Sequence, residues 1–344
     1  MERYIGLDVH AASCTLAVIS QAGKRLKDFP VETNGQALVE AIRMIPGHKH
    51  LVFEEGLQSA WLYETLSPHV DEVVVAGITK SQGQKDDKRD AYGVAEDLRA
   101  GTLGKRVFKA PRQFSLLREL SRTHMTIIRD VVRAQARIKS LYRSRGIPTP
   151  GGWVYSPRRR EEWEKQLPAS TRRRAERLYE NFDFCLEQKK QAEADLLRES
   201  RKHRIVRILE TAPGFGPIRS ARLVPIVVTP HRFRTKRQFW SYCGLGIVMR
   251  SSSDWVRTAE GDWIKTRVPQ TRGLSRQYNR VLKEIFKGAA TTVITQRNKD
   301  SIYARYQRML DCGTKPNLAK LSLARIIAAT VLRMWKDEKE YRPE

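Results

Sequence analysis

Arg3-Tyr4-Ile5-Gly6-Leu7-Asp8-Val9-His10, followed closely by Ala12-Ser13-Cys14-Thr15-Leu16-Ala17-Val18-Ile19, decides how the chain begins to fold. Ile5, Leu7 and Val9 alternate, and 15–19 is a β-branched apolar run. That spacing predicts strand, tight turn, strand. Asp8 stands inside the first apolar run. A carboxylate there is costly unless a metal ion or a hydrogen-bond network satisfies it. It could equally cap the turn into the second strand.

Beyond this hairpin, 21–24 reads as a turn and 25–31 as a third strand. Residues 34–44 have helical spacing, with Thr33 as the expected N-cap. His50-Leu51-Val52-Phe53-Glu54-Glu55-Gly56 is a short apolar strand ending in two carboxylates. A helix is expected over 59–66 and a fully buried strand over 72–76. Helices alternating with apolar strands predict an α/β domain with a mixed sheet. Lys85-Asp86-Asp87-Lys88-Arg89-Asp90-Ala91 then leads into Tyr92, Val94, Ala95 and Leu98 at helical spacing. Asp87 and Asp90 would share a helix face and repel each other weakly. A divalent cation would turn that repulsion into attraction. The other reading is a solvated first turn, where carboxylates suit the helix dipole.

Residues 110–144 predict a long helix or helical pair, with Ile127, Ile128, Val131, Val132, Ile138 and Leu141 on one face. Arg118, Arg122, Arg129, Arg133, Arg137 and Arg143 take the other. Residues 146–152 are a linker by composition. Residues 153–203 are charged and helical, with the triplets Arg158-Arg159-Arg160 and Arg172-Arg173-Arg174 and a coiled-coil-like run over 176–197. They fit either a solvated helix pair or a nucleic-acid-facing surface. Thr211-Ala212-Pro213-Gly214-Phe215-Gly216-Pro217 has the look of a helix-hairpin-helix turn, in which Gly214 and Gly216 let the backbone approach a phosphate. Arg250-Ser251-Ser252-Ser253-Asp254 is a polar loop, and 281–294 and 318–336 are further helices. The expected organisation is three-part: 1–110, 111–204 and 205–344.

The 344 residues carry a net charge of +26 and a pI of about 10.2, with 40% hydrophobic content. A sizeable core is affordable, and the basic excess points to a polyanionic partner, nucleic acid before membrane. The sequence has no apolar run of membrane-spanning length, and its start goes straight into a strand, so neither a membrane span nor a signal peptide is expected. Cys14, Cys185, Cys243 and Cys312 are scattered without zinc spacing, as free thiols in a reducing cytoplasm would be. There is no Gly-rich nucleotide fingerprint, no Walker motif and no internal repeat. The spacing of the seven histidines, among them His10, His48, His50, His124 and His203, assigns none of them as a metal ligand.

Taken together, Ile5-Gly6-Leu7-Asp8-Val9-His10, Val52-Phe53-Glu54 and Lys85-x-Asp87-x-x-Asp90-Ala91 resemble the DEDD-type insertion-sequence transposases, whose N-terminal domain is similar to the RuvC Holliday-junction resolvase. The resemblance continues at Gly214-Phe215-Gly216-Pro217, Tyr242-Cys243-Gly244-Leu245, the serine loop, Arg272-Gly273-Leu274-Ser275 and Asn279-Arg280. It implies an α/β RuvC-like (RNase H-like) N-terminal domain, a helical and coiled-coil middle, and a mainly α C-terminal domain.

The resemblance also implies a chemistry. Asp8, Glu54, Asp87 and Asp90 would hold Mg²⁺ at the DNA backbone, where paired metals can clamp attacking and leaving oxygens. A serine, falling on Ser252, would attack DNA and form a covalent link. Because the carboxylates are remote from it in sequence, a composite site between the two terminal domains, of one subunit or of two, is expected. Donor and target DNA would be partners, along with a structured guide RNA from the element itself, in the cytoplasm of a prokaryote at the nucleoid. Two duplexes need at least two active sites, hence a dimer or tetramer. The chain departs from the family pattern at Ser252-Ser253, where Ser-Gly is usual, and at Ile247, where proline is common. Glu54-Glu55-Gly56-Leu57 replaces Glu-x-Thr-Gly. Ser251 and Ser253 therefore compete with Ser252, and Glu55 with Glu54. A plain Mg²⁺-dependent junction nuclease and a non-catalytic nucleic-acid-binding scaffold are the competing functions.

Overall fold

The first strand pairs on both sides in the computed structural model, which describes residues 1–78, 86–109, 113–250, 255–265, 270–296 and 301–343. Of 249, 250, 265 and 270–272 only the backbone is described. Lys85, Ser251, Ser252 and Ser253 lie outside the described residues. The chain divides into two units, Met1–Gln113 and Phe114–Glu344.

In the first unit β1 (Glu2–Val9), β2 (Ser13–Ser20) and β3 (Arg25–Glu32) form an antiparallel meander. Then follow α1 (Gly35–Arg43), β4 (His48–Glu54), α2 (Ser59–Leu66), β5 (Glu72–Ala76) and α3 (Asp87–Ala100). Both β1–β4 and β4–β5 are parallel, and the strand order is β3-β2-β1-β4-β5. The period of two sorts the side chains by face. Ile5, Leu7, Leu16, Leu51 and Phe53 join Leu38 and Ile42 of α1 and Leu62 and Leu66 of α2 in one core. On the other face Ala17, Ile19, Val52 and Val74 meet Ala91, Tyr92, Ala95 and Leu98 of α3.

Gly6 explains how closely α3 lies on the sheet: a Cβ there would fall 1.9 Å from the Ala91 carbonyl oxygen. The cap of α1 differs by one residue from expectation. Asn34 Oδ1 accepts from the Ala37 N–H at 2.8 Å, whereas the Thr33 hydroxyl donates to the His10 carbonyl. Both residues are capable caps; the His10 turn takes Thr33.

The second unit is helical: α4 (Ser115–Arg143), α5 (Arg160–Lys165), α6 (Ala169–Ser200), α7 (Arg204–Glu210), α8 (Pro217–Val227) and α9 (Lys236–Tyr242). Four short strands follow, β6 (Ile247–Arg250), β7 (Trp255–Arg257), β8 (Trp263–Lys265) and β9 (Gln270–Leu274), then α10 (Arg280–Gln296), α11 (Ser301–Asp311) and α12 (Pro316–Asp337). The strands pair as β6–β9 and β7–β8. The β7–β8 hairpin leaves Trp255, Val256, Trp263 and Ile264 exposed, so no burial alternation announces it in the sequence. The 110–144 stretch contributes one unbroken helix of 29 residues.

α4 and α6 run antiparallel and end in two different cores. Leu117 and Leu196 join the large core formed by α7 to α12. Val131, Ile138, Leu141 and Tyr142 pack with Ala175, Tyr179 and Phe182 in a smaller one, together with Val154 and Leu167. The region expected as a separate middle part thus has a core of its own, while its helices begin and end in the C-terminal core.

In the smaller core the Tyr142 and Tyr179 hydroxyls lie 3.0 Å apart, and Tyr179 donates to the Val154 carbonyl. Tyr179→Phe leaves both partners buried and short of a hydrogen bond. It is expected to cost about 1–3 kcal/mol, read as a lower denaturant midpoint at unchanged m-value.

Candidate active site in the first unit

Strand pairing places the first two carboxylates. Leu7 is opposite Phe53 in the parallel β1–β4 pair, so Asp8 and Glu54 extend the two strands side by side. Both lie on the face of Gly6 and Val52, which is the face α3 covers. Asp86 caps α3, accepting from the Lys88 N–H, and Asp87 and Asp90 occupy its first turn. Asp8, Glu54, Asp87 and Asp90 all line one open cavity of about 1010 Å³. Asp87 is exposed, while the other three are half-buried.

His10 joins them. Its Nε2 lies 3.2 Å from Asp8 Oδ2 and 3.3 Å from Asp87 Oδ1. One ligand atom from each of these three residues falls within a 4.8 Å group. As a lone histidine in a turn, His10 has no ligand spacing in the sequence that announces it. The turn that carries it is braced: the His10 N–H donates to the Ser13 carbonyl, and its own carbonyl accepts from Thr33.

Burial raises the Asp8 pKa; His10 opposes that shift, and Asp87 and Asp90 add to it. The carboxylate is therefore charged at some cost until a cation arrives. A group whose folded pKa is raised stabilises the fold below its unfolded pKa, and that contribution disappears as pH rises through the folded value. Asp8→Asn is thus expected to raise the thermal midpoint at neutral pH without divalent cation. The gain should vanish on acidification through the carboxylate range, as melts of both proteins across pH would show.

α3 is clamped at its start. Asp28 of β3 accepts from Lys88 Nζ at 2.7 Å and from the Tyr92 hydroxyl at 3.2 Å, and Arg25 lies over the Tyr92 ring. These contacts fix the turn that carries Asp87 and Asp90, and Lys88 holds the Asp28 carboxyl below its usual range. Glu55, the rival of Glu54, lines the same cavity and pairs with Lys109 Nζ at 2.9 Å.

In the second unit the arginines divide. Arg129, Arg137, Arg158 and Arg174 are exposed. Arg122 pairs with Glu119, Arg133 with Asp130 and Arg173 with Glu176 along exposed helix faces. Such pairs are weak and can yield to a phosphate. Arg159 stacks on Trp153. Three others have packing work: Arg118 Nε donates to the Pro225 carbonyl, Arg160 joins Asp183 and covers the Tyr179 ring, and Arg172 donates to the Leu167 carbonyl. Gly214 has φ +71° and a Cβ there would meet the Ala289 carbonyl at 2.2 Å, so helix packing already demands glycine. Gly216 is the N-cap residue of α8. Arg250 ends β6, paired with Gln270.

An open acidic cavity at the carboxyl ends of parallel strands, in a chain of net charge +26, is the layout of an enzyme that works on nucleic-acid phosphates. Comparison with known families agrees. The DEDD transposase model of IS110 elements matches residues 5–144, and the model described as Transposase IS116/IS110/IS902 family matches 206–307. The chain belongs to the IS110 family of DEDD-type insertion-sequence transposases, a DNA transposase/recombinase. No curated protein matches it. Among the described residues no helix is long and apolar enough to cross a membrane.

Proposed function

We propose that this transposase cuts and rejoins DNA with an acidic Mg²⁺ site in a RuvC-like domain and a serine nucleophile, guided by a structured RNA. The observation that carries the reading is the lining of one open cavity by Asp8, Glu54, Asp87 and Asp90. The strand order β3-β2-β1-β4-β5 with α3 laid on β1 supports a RuvC-like assignment. Hard carboxylate oxygens suit Mg²⁺. Bound there, the cation would neutralise phosphate charge and polarise the scissile bond. His10 would hold Asp8 and Asp87 in place before the cation binds. Glu54 is preferred to Glu55 because it extends β4 beside Asp8 on the face that α3 covers.

Ser252 is the proposed nucleophile, with Ser251 and Ser253 its competitors. Its Oγ would attack a backbone phosphorus, giving a phosphoserine ester as the bond to the leaving oxygen breaks and that oxygen takes a proton. A hydroxyl needs activation for this, and Arg250, Arg257 and Lys265 are close enough in sequence to supply positive charge. Gly214 and Gly216 would present backbone N–H groups to a phosphate. A dimer or tetramer would bring the active sites that two duplexes require.

Denaturing electrophoresis with end-labelled donor and target DNA tests the mechanism. A covalent protein–DNA band is expected, lost in Ser252→Ala and retained in Ser251→Ala and Ser253→Ala. Released nicks without a band would make the protein a plain junction nuclease, and a mobility shift alone a scaffold. Omitting the element's non-coding RNA should remove the band.

The arginine faces of α4 and α6 supply the polyanion surface in this reading. Affinity is then expected to fall by about three decades between 50 and 200 mM salt if six phosphates are contacted. A flat salt titration would exclude that surface.

A further inference from the structure

The opposite end of the same sheet holds a second cluster. Glu2 and His48 are partners in the β1–β4 register, and His50 follows His48 two residues on, on the same face. Glu2 Oε2 is the meeting point: His48 Nδ1 lies 3.0 Å from it and His50 Nε2 2.7 Å. One ligand atom from each of the three falls within a 4.8 Å group. Asp8 lies six residues along β1 from Glu2, roughly 20 Å away, so the cluster is separate from the acidic cavity.

The far side of each ring is also occupied. His48 Nε2 lies 3.2 Å from Asp71 Oδ1, and His50 Nδ1 lies 2.9 Å from Glu72 Oε2. Both carboxylates are themselves oriented, Asp71 by the Lys49 N–H at 2.7 Å and Glu72 by Arg106 at 3.4 Å. Stacking on Tyr4 at 4.9 Å sets the plane of the His50 ring. An imidazole whose outer N–H is fixed by a carboxylate, with its other nitrogen aimed at a shared centre, is the usual arrangement of a metal-ligating histidine. Here two such rings converge on one carboxylate oxygen.

We propose that Glu2, His48 and His50 form a site for a borderline divalent cation of the Zn²⁺ type. Two imidazoles and one carboxylate favour Zn²⁺ over Mg²⁺, which prefers oxygen ligands. Zn–N and Zn–O bonds are about 2.0–2.2 Å long, so the Glu2 carboxylate would draw back from the centre as the cation enters. The ring nitrogens facing the centre would carry no proton, and their outer N–H groups would donate to Asp71 and Glu72. His48 is half exposed, which leaves an entry path and an open fourth position. Bound there, the cation joins the first residues of β1 to β4.

The test uses the untagged full-length chain with Co²⁺ as the probe, in excess Mg²⁺ so that the acidic cavity is filled by the harder ion. One equivalent of Co²⁺ should give the intense visible absorption of four- or five-coordinate cobalt, and Zn²⁺ should displace it. His50→Ala and His48→Gln should each abolish the signal while far-UV circular dichroism stays native. Asp71→Asn or Glu72→Gln should weaken affinity by about 10–100-fold. Asp87→Asn should leave the signal intact. The proposal is overturned if no such absorption forms, if it survives in both histidine variants, or if Asp87→Asn removes it.

Discussion

Asp87→Asn is expected to lower strand cleavage by at least about three orders of magnitude, roughly 4 kcal/mol of transition-state stabilisation, while leaving the fold intact. The side chain is exposed, and capping of α3 falls to Asp86, so the Asp87 charge serves the fold only through its contact with His10 and the dipole of the first turn. Removing it lessens the repulsion on Asp8 and the thermal midpoint should hold or rise. With the arginine faces of α4 and α6 proposed to carry it, DNA binding should persist. Asp8→Asn, Glu54→Gln and Asp90→Asn should behave alike in cleavage assays. Glu55→Gln should keep most activity, losing only the Lys109 pair. Cleavage by Asp87→Asn within tenfold of the parent would remove this residue from the site.

A second large effect comes from adding a single methyl group. Gly6→Ala places a Cβ 1.9 Å from the Ala91 carbonyl oxygen and 3.0 Å from the Ala95 nitrogen, both backbone atoms of α3. No side chain can rotate away to make room, so the helix must move. Overpacking of this kind costs about 3 kcal/mol or more, a fall of roughly 10 °C or more in the midpoint of a unit this size. Asp87 and Asp90 ride on the displaced helix, and a shift of about 1 Å at reacting groups can cost 10²-fold in rate. Gly93→Ala, on α3 itself with nothing within 4 Å, is the control. Removing glycine from a helix interior should stabilise by about 0.5–1 kcal/mol. Equal melting of the two variants would refute the close-packing account.

The sheet was legible in the sequence because its apolar residues keep strict alternation in β1 and near-continuous runs in β2 and β5. The ends of β1 and β4 were legible too, since a carboxylate closing an apolar run marks where the strand meets solvent. Asp87 and Asp90 were readable as a pair from their spacing. His10 was not, because its role comes from a turn that folds it back over Asp8, braced by a hydroxyl more than twenty residues away. Asp28 likewise reads as one polar residue on an exposed strand until Tyr92 and Lys88 reach it from α3. The β7–β8 hairpin was missed for the opposite reason: its apolar residues face solvent and carry no core signal. The arginine stripe of α4 was visible as charge, but only packing separates Arg118, which ties α4 to α8, from Arg129 and Arg137, which meet solvent.

The antiparallel pair of α4 and α6 also acts as a ruler. Its helices have 29 and 32 residues, and one core grips each end. At about 1.5 Å per residue α4 spans roughly 43 Å, the length of about 13 base pairs of duplex at 3.4 Å each. Residue count therefore sets the distance between what the two ends hold. Deleting seven residues from each helix would keep the faces aligned to within about 20° and draw the ends together by about 10 Å, or three base-pair steps.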